Sequence, residues 1–293
     1  MYAVIDLGTN STRMIVGSVK ADQLKVLLRT RRVTRMGEGL GNQGEIIPAA
    51  QRRTIYALEQ FKQILQVMSI KGLEIFATSV ARRATDLAWL EEAVKALFQK
   101  ELRVLSGREE ALFSYLGATK GLETLSVLGG LPVVVDIGGG SSEVCTMVKG
   151  SLKAFSLEVG SVRGTEHPIS EAALAEVLNS LAEITDLQQP LSLVGTGGTI
   201  TSVAAIEQAL TVYDSSLVHG HRLTYPTATA ILQKLTAMTL AERQSVPGLE
   251  PERADIITAG IRILLAIMTK LACKELLVSE SDLLDGMLYS MSK

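Results

Sequence analysis

A buried strand that ends in a run of glycines exposes its last backbone N–H groups as a concave nest suited to phosphate oxygens. The chain does this at Val134-Val-Asp-Ile-Gly-Gly-Gly-Ser-Ser-Glu143. A β-branched run ends in an acid, three glycines follow, then two hydroxyls and a second acid. Asp136 at the strand end and Glu143 seven residues on could both reach a metal held over that phosphate. The pattern occurs once more, at Val4-Ile-Asp-Leu-Gly-Thr-Asn-Ser-Thr-Arg13. An offset of 130 superposes Val4 on Val134, Asp6 on Asp136, Gly8 on Gly138 and Ser11 on Ser141. Two such turns imply two related half-folds that grip a polyphosphate between them.

The rest of the composition narrows the function classes. A length of 293 residues fits two domains, and an apolar content of 47% supplies their cores. Aromatic residues make up only 4%, which argues against base stacking and hence against nucleic acid as partner. Cys145 and Cys273 both sit in apolar segments, as buried thiols in a reducing compartment would. After Met1-Tyr2 the chain enters a strand pattern at once, with no signal peptide. The apolar stretch from Ile256 to Ala272 is interrupted by Arg262 and Lys270, so it reads as a buried helix and not a membrane span. A cytoplasmic protein is expected. Residues 1–122 hold 18 basic and 12 acidic side chains, a net +6, whereas 123–293 hold 11 and 19, a net −8. A basic half can attract a polyanion; an unevenly charged solvated surface accounts for the numbers equally well.

In chain order, residues 2–7 read as a strand with Met14–Val19 and Gln23–Leu28 as hairpin partners. The basic run Arg29 to Arg35 then leads into a glycine loop, which suits either anion contact or a sheet edge blunted by charge. Pro48 opens a helix. Ile75-Phe-Ala is a short strand, Thr78 to Arg83 a hydroxyl-rich turn, and Asp86 the cap of the next helix. Ser106-Gly-Arg-Glu109 fits a capping box. That assigns Glu109 to structure and leaves Glu110 either for chemistry or as a solvated first-turn glutamate.

The stretch 121–131 reads as the crossing into the second half. Leu152–Leu157 is a strand, Glu158 to Arg163 a glycine-centred turn, and Ser170 the cap of a helix through about Asp186. Strand Leu191–Val194, loop Gly195-Thr-Gly-Gly198 and the helix after it form another phosphate-cradling arrangement, although close strand–helix packing explains these glycines equally well. His219 and His221 lack neighbouring ligands, which favours fixing a loop or touching substrate over a metal site. A long helix over 252–272, a strand at 275–278 and a last helix capped near Ser279 close the chain. Strands alternating with helices, each half opening on a strand meander, argue for an α/β fold of two duplicated domains with ligand in the cleft between them.

These motifs, taken together and in order, resemble the exopolyphosphatase/guanosine pentaphosphate phosphohydrolase (Ppx/GppA) family. The stretches that carry the resemblance are Ile5–Arg13, Ala77–Arg82, Ser106–Ala111, Val135–Glu143, Gly195–Thr199, Val218–Gly220 and Glu252–Gly260. The resemblance implies two actin-like (ASKHA, ribonuclease H-like) domains, 1–122 and 123–279, with the C-terminal helix 280–293 packing back on the first. It implies removal of terminal phosphate from inorganic polyphosphate or of the 5′ γ-phosphate from pppGpp, with Mg²⁺, and leaves open a monovalent cation such as K⁺ and a homodimer.

Carried over by motif, Glu110 is the base that activates water and Arg82 neutralises charge on the transferring group. Asp136 and Glu143 organise the metal, with Asp6 opposite. Thr9, Asn10, Ser11, Arg13, Gly138, Gly139, Gly140, Ser141, Gly197 and Gly198 hold phosphate oxygens. The chain departs from the family pattern at Arg83, where an acid is commoner, at Gly164, where leucine is usual, and at Asp282-Leu-Leu-Asp-Gly286, which lacks the family's arginine. Longer members carry a C-terminal HD-type region. Its absence here implies low processivity and a preference for short chains. Competing readings are an ATP-dependent kinase-like enzyme on the same fold and a polyphosphate or (p)ppGpp sensor without catalysis.

Overall fold

The computed structural model describes residues 1–40, 44–122 and 129–292. Eleven strands in these residues form two mixed sheets. The first holds β1 (Tyr2–Leu7), β2 (Ser11–Lys20), β3 (Gln23–Val33), β4 (Gly72–Ala77) and β5 (Arg103–Val104), in the order β3-β2-β1-β4-β5. The second holds β6 (Leu131–Ile137), β7 (Ser142–Val148), β8 (Ser151–Leu157), β9 (Leu191–Thr196), β10 (Arg222–Thr224) and β11 (Glu275–Val278), in the order β10-β11-β9-β6-β7-β8. Each sheet opens on an antiparallel three-strand meander whose first strand takes a parallel neighbour on its other side.

The duplication extends to register. Asp6 pairs with Arg13 across the first ladder and Asp136 with Glu143 across the second. Gly8 N–H donates to Ser11 O at 3.1 Å and Gly138 N–H to Ser141 O at 3.0 Å, so both turns close with the same bond. The α/β architecture and the duplicated layout therefore agree with the sequence reading.

Hydrophobic burial holds each half. Val133, Val135, Leu193, Ile200, Ile261 and Leu264 belong to one continuous cluster under the second sheet. Ile5, Met14, Phe61 and Ile75 belong to another under the first. The helix Ile257–Lys270 lies inside the larger cluster, as its apolar run requires. Among the described residues no helix is long and apolar enough to cross a membrane.

Two helices run between the halves. The helix Gly107–Gly121 lies against β6, β7, β8 and β9, and the terminal helix Leu283–Met291 crosses it and packs on β1 and β2. The crossing is backbone on backbone. A Cβ on Gly117 would overlap the carbonyl of Asp282, and one on Gly286 would overlap the carbonyl of Phe113. His219 fastens the same region. Glu280 N–H donates to its Nδ1 at 3.1 Å, so the ring proton sits on Nε2 and is donated to Gly121 O at 3.0 Å.

Several local expectations need correction. Asp86 does not cap a helix: the N-cap is Leu87, and Asp86 accepts from Ile46 N–H at 3.1 Å and from Gln51. Joining two segments outweighs a local cap. Thr78–Arg83 is not a turn, because Ser79–Arg83 winds into one helical turn that aims its arginines. Glu158–Arg163 likewise runs into a helix, Ser161–Glu166, with Gly160 at its N-cap. The helix expected from Ser170 to Asp186 is three short pieces, Glu171–Val177, Leu178–Leu181 and Ala182–Thr185. Asp282, not Ser279, caps the last helix, with Asp285 completing the box. Of the expected crossing 121–131, residues 123–128 lie outside the described residues.

Candidate active site

The two Asp–Gly turns face each other across a cleft with a cavity of 90 Å³. Asp6, Thr9, Asn10, Ser11 and Arg13 line it from the first half, and Asp136, Gly138–Ser141, Glu143, Gly197 and Gly198 from the second. Glu110 also lines it, brought there by the helix Gly107–Gly121. Arg82 is attached to this set through Glu110. The structure thus gathers every residue the motifs single out.

The glycines allow close approach. A Cβ on Gly139 would come within 3.0 Å of Thr9 Cβ, and one on Gly140 within 2.7 Å of both Thr9 Oγ1 and Ser79 Oγ. Any side chain at these positions would hold the two loops apart.

Glu110 and Glu109 divide as the capping box requires. Ser106 N–H and hydroxyl bond Glu109 Oε2 at 2.9 and 2.8 Å, and Arg103 holds Oε1. The Ser106 amide, with Arg103 and the Ser106 hydroxyl, holds the Glu109 carboxyl down to about 2. Glu110, one residue on, is 6% exposed, so it is not a solvated first-turn glutamate. Burial and the nearby Glu143 push its pKa well above the carboxylate range, opposed by its ion pair with Arg82. The same Arg82 Nη1 that meets Glu110 also donates to Leu105 O at 2.8 Å.

The second turn is rich in uncompensated acid. Burial lifts Asp136 to about 6, helped by Asp282, while Ser114 Oγ donates to Asp136 Oδ2 at 2.7 Å and pulls the other way. Burial and Asp136 lift Glu143 to about 7, although Ser141 and Ser156 hydroxyls donate to its Oε1 at 2.7 and 2.9 Å. The first turn differs. Asp6 is raised by burial but opposed by Arg13, whose Nη2 lies 2.6 Å from Asp6 Oδ2. Arg13 also pairs with Asp282. In this structure Arg13 therefore binds carboxylates from β1 and from the segment leading into the last helix.

The two acids of that last segment, Asp282 and Asp285, each face an arginine. Asp282 meets Arg13, and Asp285 meets Arg29 at 2.6 Å. The basic strand β3 is thus a seam and not a bare edge. Arg31 pairs with Glu250 at 2.7 Å and Arg35 with Asp255 at 2.7 Å, both across the cleft. Much of the charge asymmetry between the halves is spent in joining them.

Four of the five buried polar side-chain atoms without a partner among the described residues belong to this region: Asp6 Oδ1, Asn10 Nδ2, Ser79 Oγ and Arg82 Nη2. Each such atom costs about 1–3 kcal/mol if nothing meets it. Two donors, one acceptor and one hydroxyl are what a hydrated metal–phosphate group would satisfy. Among the described residues no three acidic, histidine or cysteine side chains close into a metal cage. A hard divalent ion that keeps its waters and leans on substrate phosphates does not need one. The donor set is all oxygen, as such an ion prefers.

Ser79, Ser161 and Arg253 also line the cleft and are absent from the sequence-derived set. Ser79 and Arg253 lie inside stretches already singled out, and their hydroxyl and guanidinium chemistry was the available signal. Ser161 had only its glycine-centred turn. The histidines are elsewhere: His219 pins the crossing, and His221 meets Glu207 at 2.7 Å.

The family model described as Ppx/GppA phosphatase family matches residues 4–293. A Mycobacterium tuberculosis protein named exopolyphosphatase 2 is 31% identical, covering 99% of this chain and 98% of its own. The crystal structure of the Aquifex aeolicus Ppx/GppA family member superposes with a TM-score of 0.79 at 29% identity, over 99% of this chain and 96% of that one. An exopolyphosphatase structure from Cytophaga hutchinsonii shares the fold, with a TM-score of 0.87 at 24% identity over 99% and 97% of the two chains. The two halves are thus actin-like domains. With two facing Asp–Gly turns, a buried glutamate between them and a match spanning nearly every residue, the chain belongs to the Ppx/GppA phosphatase family and is a phosphatase.

Proposed function

We propose that the protein is an exopolyphosphatase that hydrolyses the terminal phosphate of inorganic polyphosphate or the 5′ γ-phosphate of pppGpp. The observation that carries this reading is the buried Glu110 beside four partnerless polar atoms in a cleft walled by two glycine turns. Phosphoryl transfer asks for positioning and charge stabilisation more than covalent help, and a nest of backbone amides offers both.

In this reading Gly138–Ser141 and Gly197–Gly198 seat the oxygens of the terminal phosphate, with Thr9, Asn10 and Ser11 opposite. Glu110 takes the proton from the attacking water. Burial and Glu143 raise its pKa, which makes it a stronger base than a free carboxylate. Arg82 orients Glu110, and its free Nη2 offers a donor to the transferring group. Asp136 and Glu143, with Asp6 across the cleft, would hold Mg²⁺, which when bound neutralises phosphate charge and fixes in-line geometry. Water attacks directly and no phosphoenzyme forms. Ser114, Ser141 and Ser156 keep the two acids of the second turn oriented toward the cleft.

The test is phosphate release from tripolyphosphate, long-chain polyphosphate and pppGpp, with Mg²⁺ and with chelator, for the wild type and Glu110→Ala. Metal-dependent release that disappears in the variant supports the reading, and the ranking names the substrate. Tight binding without release from any of the three would overturn it in favour of a sensor.

A further inference from the structure

A second cavity, of 160 Å³, opens beyond Gly197 and Gly198 and shares Arg13 and Arg253 with the catalytic cleft. Arginines from both halves line it: Arg29 and Arg31 from β3, and Arg253 from the segment before the helix Ile257–Lys270. Three carboxylates line it with them, Glu250, Glu280 and Asp282; Asp282 is held by Arg13, and Glu250 lies between Arg31 and Arg253. Glu250 accepts from Arg31 Nη2 at 2.7 Å through Oε1 and from Arg31 Nη1 at 2.8 Å through Oε2. The same Oε2 accepts from Arg253 Nε at 2.6 Å. Burial alone would raise Glu250, but Arg253 and Arg31 overcome it and hold the carboxyl below its usual range.

This is fork geometry toward one partner and a third charged donor from the other side. Two guanidinium groups thus share the one Glu250 carboxylate beside a cleft lined by glycine loops. Arg253 lies flat on Gly198, where any Cβ would overlap its guanidinium. Its Nη1 and Nη2 make no hydrogen bond among the described residues, so they point donors at the phosphate loop. Glu250 thus stands one arginine away from the glycine loop, with a pair of anionic oxygens such as a second phosphate would present.

On the exopolyphosphatase reading above, we infer that Arg31 and Arg253 form a binding site for the phosphate groups behind the terminal one, and that Glu250 is a built-in carboxylate occupying it until they displace it. A phosphoanhydride chain carries the charge density to do so; a single phosphate, seated at the glycine loops, never reaches Arg31. Displacement is complete in the bound ground state and persists in the transition state. Its cost therefore falls on KM more than on kcat. Glu250 is a specificity-determining residue: it weakens binding of every chain, and only those long enough to offer phosphates to both arginines recover the loss.

The experiment compares wild type, Glu250→Gln and Arg31→Gln on tripolyphosphate and on a longer chain, by steady-state phosphate release. Calorimetric titration of tripolyphosphate in chelator, which needs no turnover, runs beside it. Glu250→Gln keeps the shape and removes the charge; it is expected to lower KM and the tripolyphosphate Kd about tenfold, with a smaller change in kcat. Arg31→Gln is expected to raise both about tenfold. Thermal melts of each variant report the fold, and a steeper loss of binding with salt in Glu250→Gln reports the extra free cation. Unchanged or weaker binding by Glu250→Gln overturns the inference while leaving the hydrolase reading standing. Absence of phosphate release by the wild type overturns the hydrolase reading, and the titration still decides whether Glu250 competes with the anion.

Discussion

At the end of β1 an aspartate faces an arginine; at the end of β6 its counterpart faces a glutamate. The two turns share register, closing hydrogen bond and first glycine, while the cross-strand partner of the aspartate changes from a cation to an acid. Across the first ladder Asp6 and Arg13 largely cancel, and Asp282 adds a second acid to the arginine. Across the second, Asp136 and Glu143 lie in one buried place with only hydroxyls to hold them. One copy of the motif has become a structural junction and the other a store of negative charge. A duplicated fold can thus divide labour by changing the sign of one residue opposite a shared aspartate.

The comparison can be broken by experiment, and the largest effect should come from Glu110, which sits between the turns. Glu110→Gln should lower kcat about 10²–10⁴-fold with KM little changed. Equal turnover by this variant would name another base. Next in size is the junction. Arg13→Ala leaves Asp6 and Asp282 buried with no cationic partner from β2 and should cost about 3 kcal/mol in chemical denaturation. A loss below about 1 kcal/mol would mean that the first turn is no junction.

The second turn should behave in the opposite sense. Asp136 and Glu143 have folded pKa values of about 6 and about 7, above the 3.8 and 4.5 of free carboxyls. A group raised on folding contributes stability at low pH and loses it as pH rises through the folded value. Stability should therefore fall between about pH 4 and pH 7, and Glu143→Gln should flatten that fall and raise the Tm at pH 8 while impairing hydrolysis. A lower Tm at pH 8 would show that the acid is held by something besides the serines. The smallest effect concerns the metal. If Asp136 and Glu143 hold Mg²⁺, its addition should raise the Tm by a few degrees at pH 8 and by less at pH 5, where both acids are protonated. An equal rise at both values would place the ion elsewhere.

Much of this layout was legible because the residues that form it are adjacent in sequence. Each Asp–Gly turn is a local pattern, and a strand ending in glycines has few alternatives. The capping box at Ser106 separated two neighbouring glutamates for the same reason. What was not legible depends on partners hundreds of residues apart. Arg13 meets Asp282, Arg29 meets Asp285 and Arg31 meets Glu250, and no window of sequence contains both members of any pair. Asp86 carried a correct local signal, a helix-capping type at a helix start, and lost to two donors from 46 and 51. The basic strand admitted two readings because charge composition says nothing about where the opposite charge folds to.

The crossing of the two bridging helices has a genetic consequence. Gly117 and Gly286 each lie against a main-chain carbonyl of the other helix, so neither tolerates even a methyl group. Every missense change one nucleotide away from a glycine codon installs a residue with a Cβ. Every missense step from either codon therefore wedges the helices apart, and a lineage carrying this crossing can alter it only by moving the helices themselves.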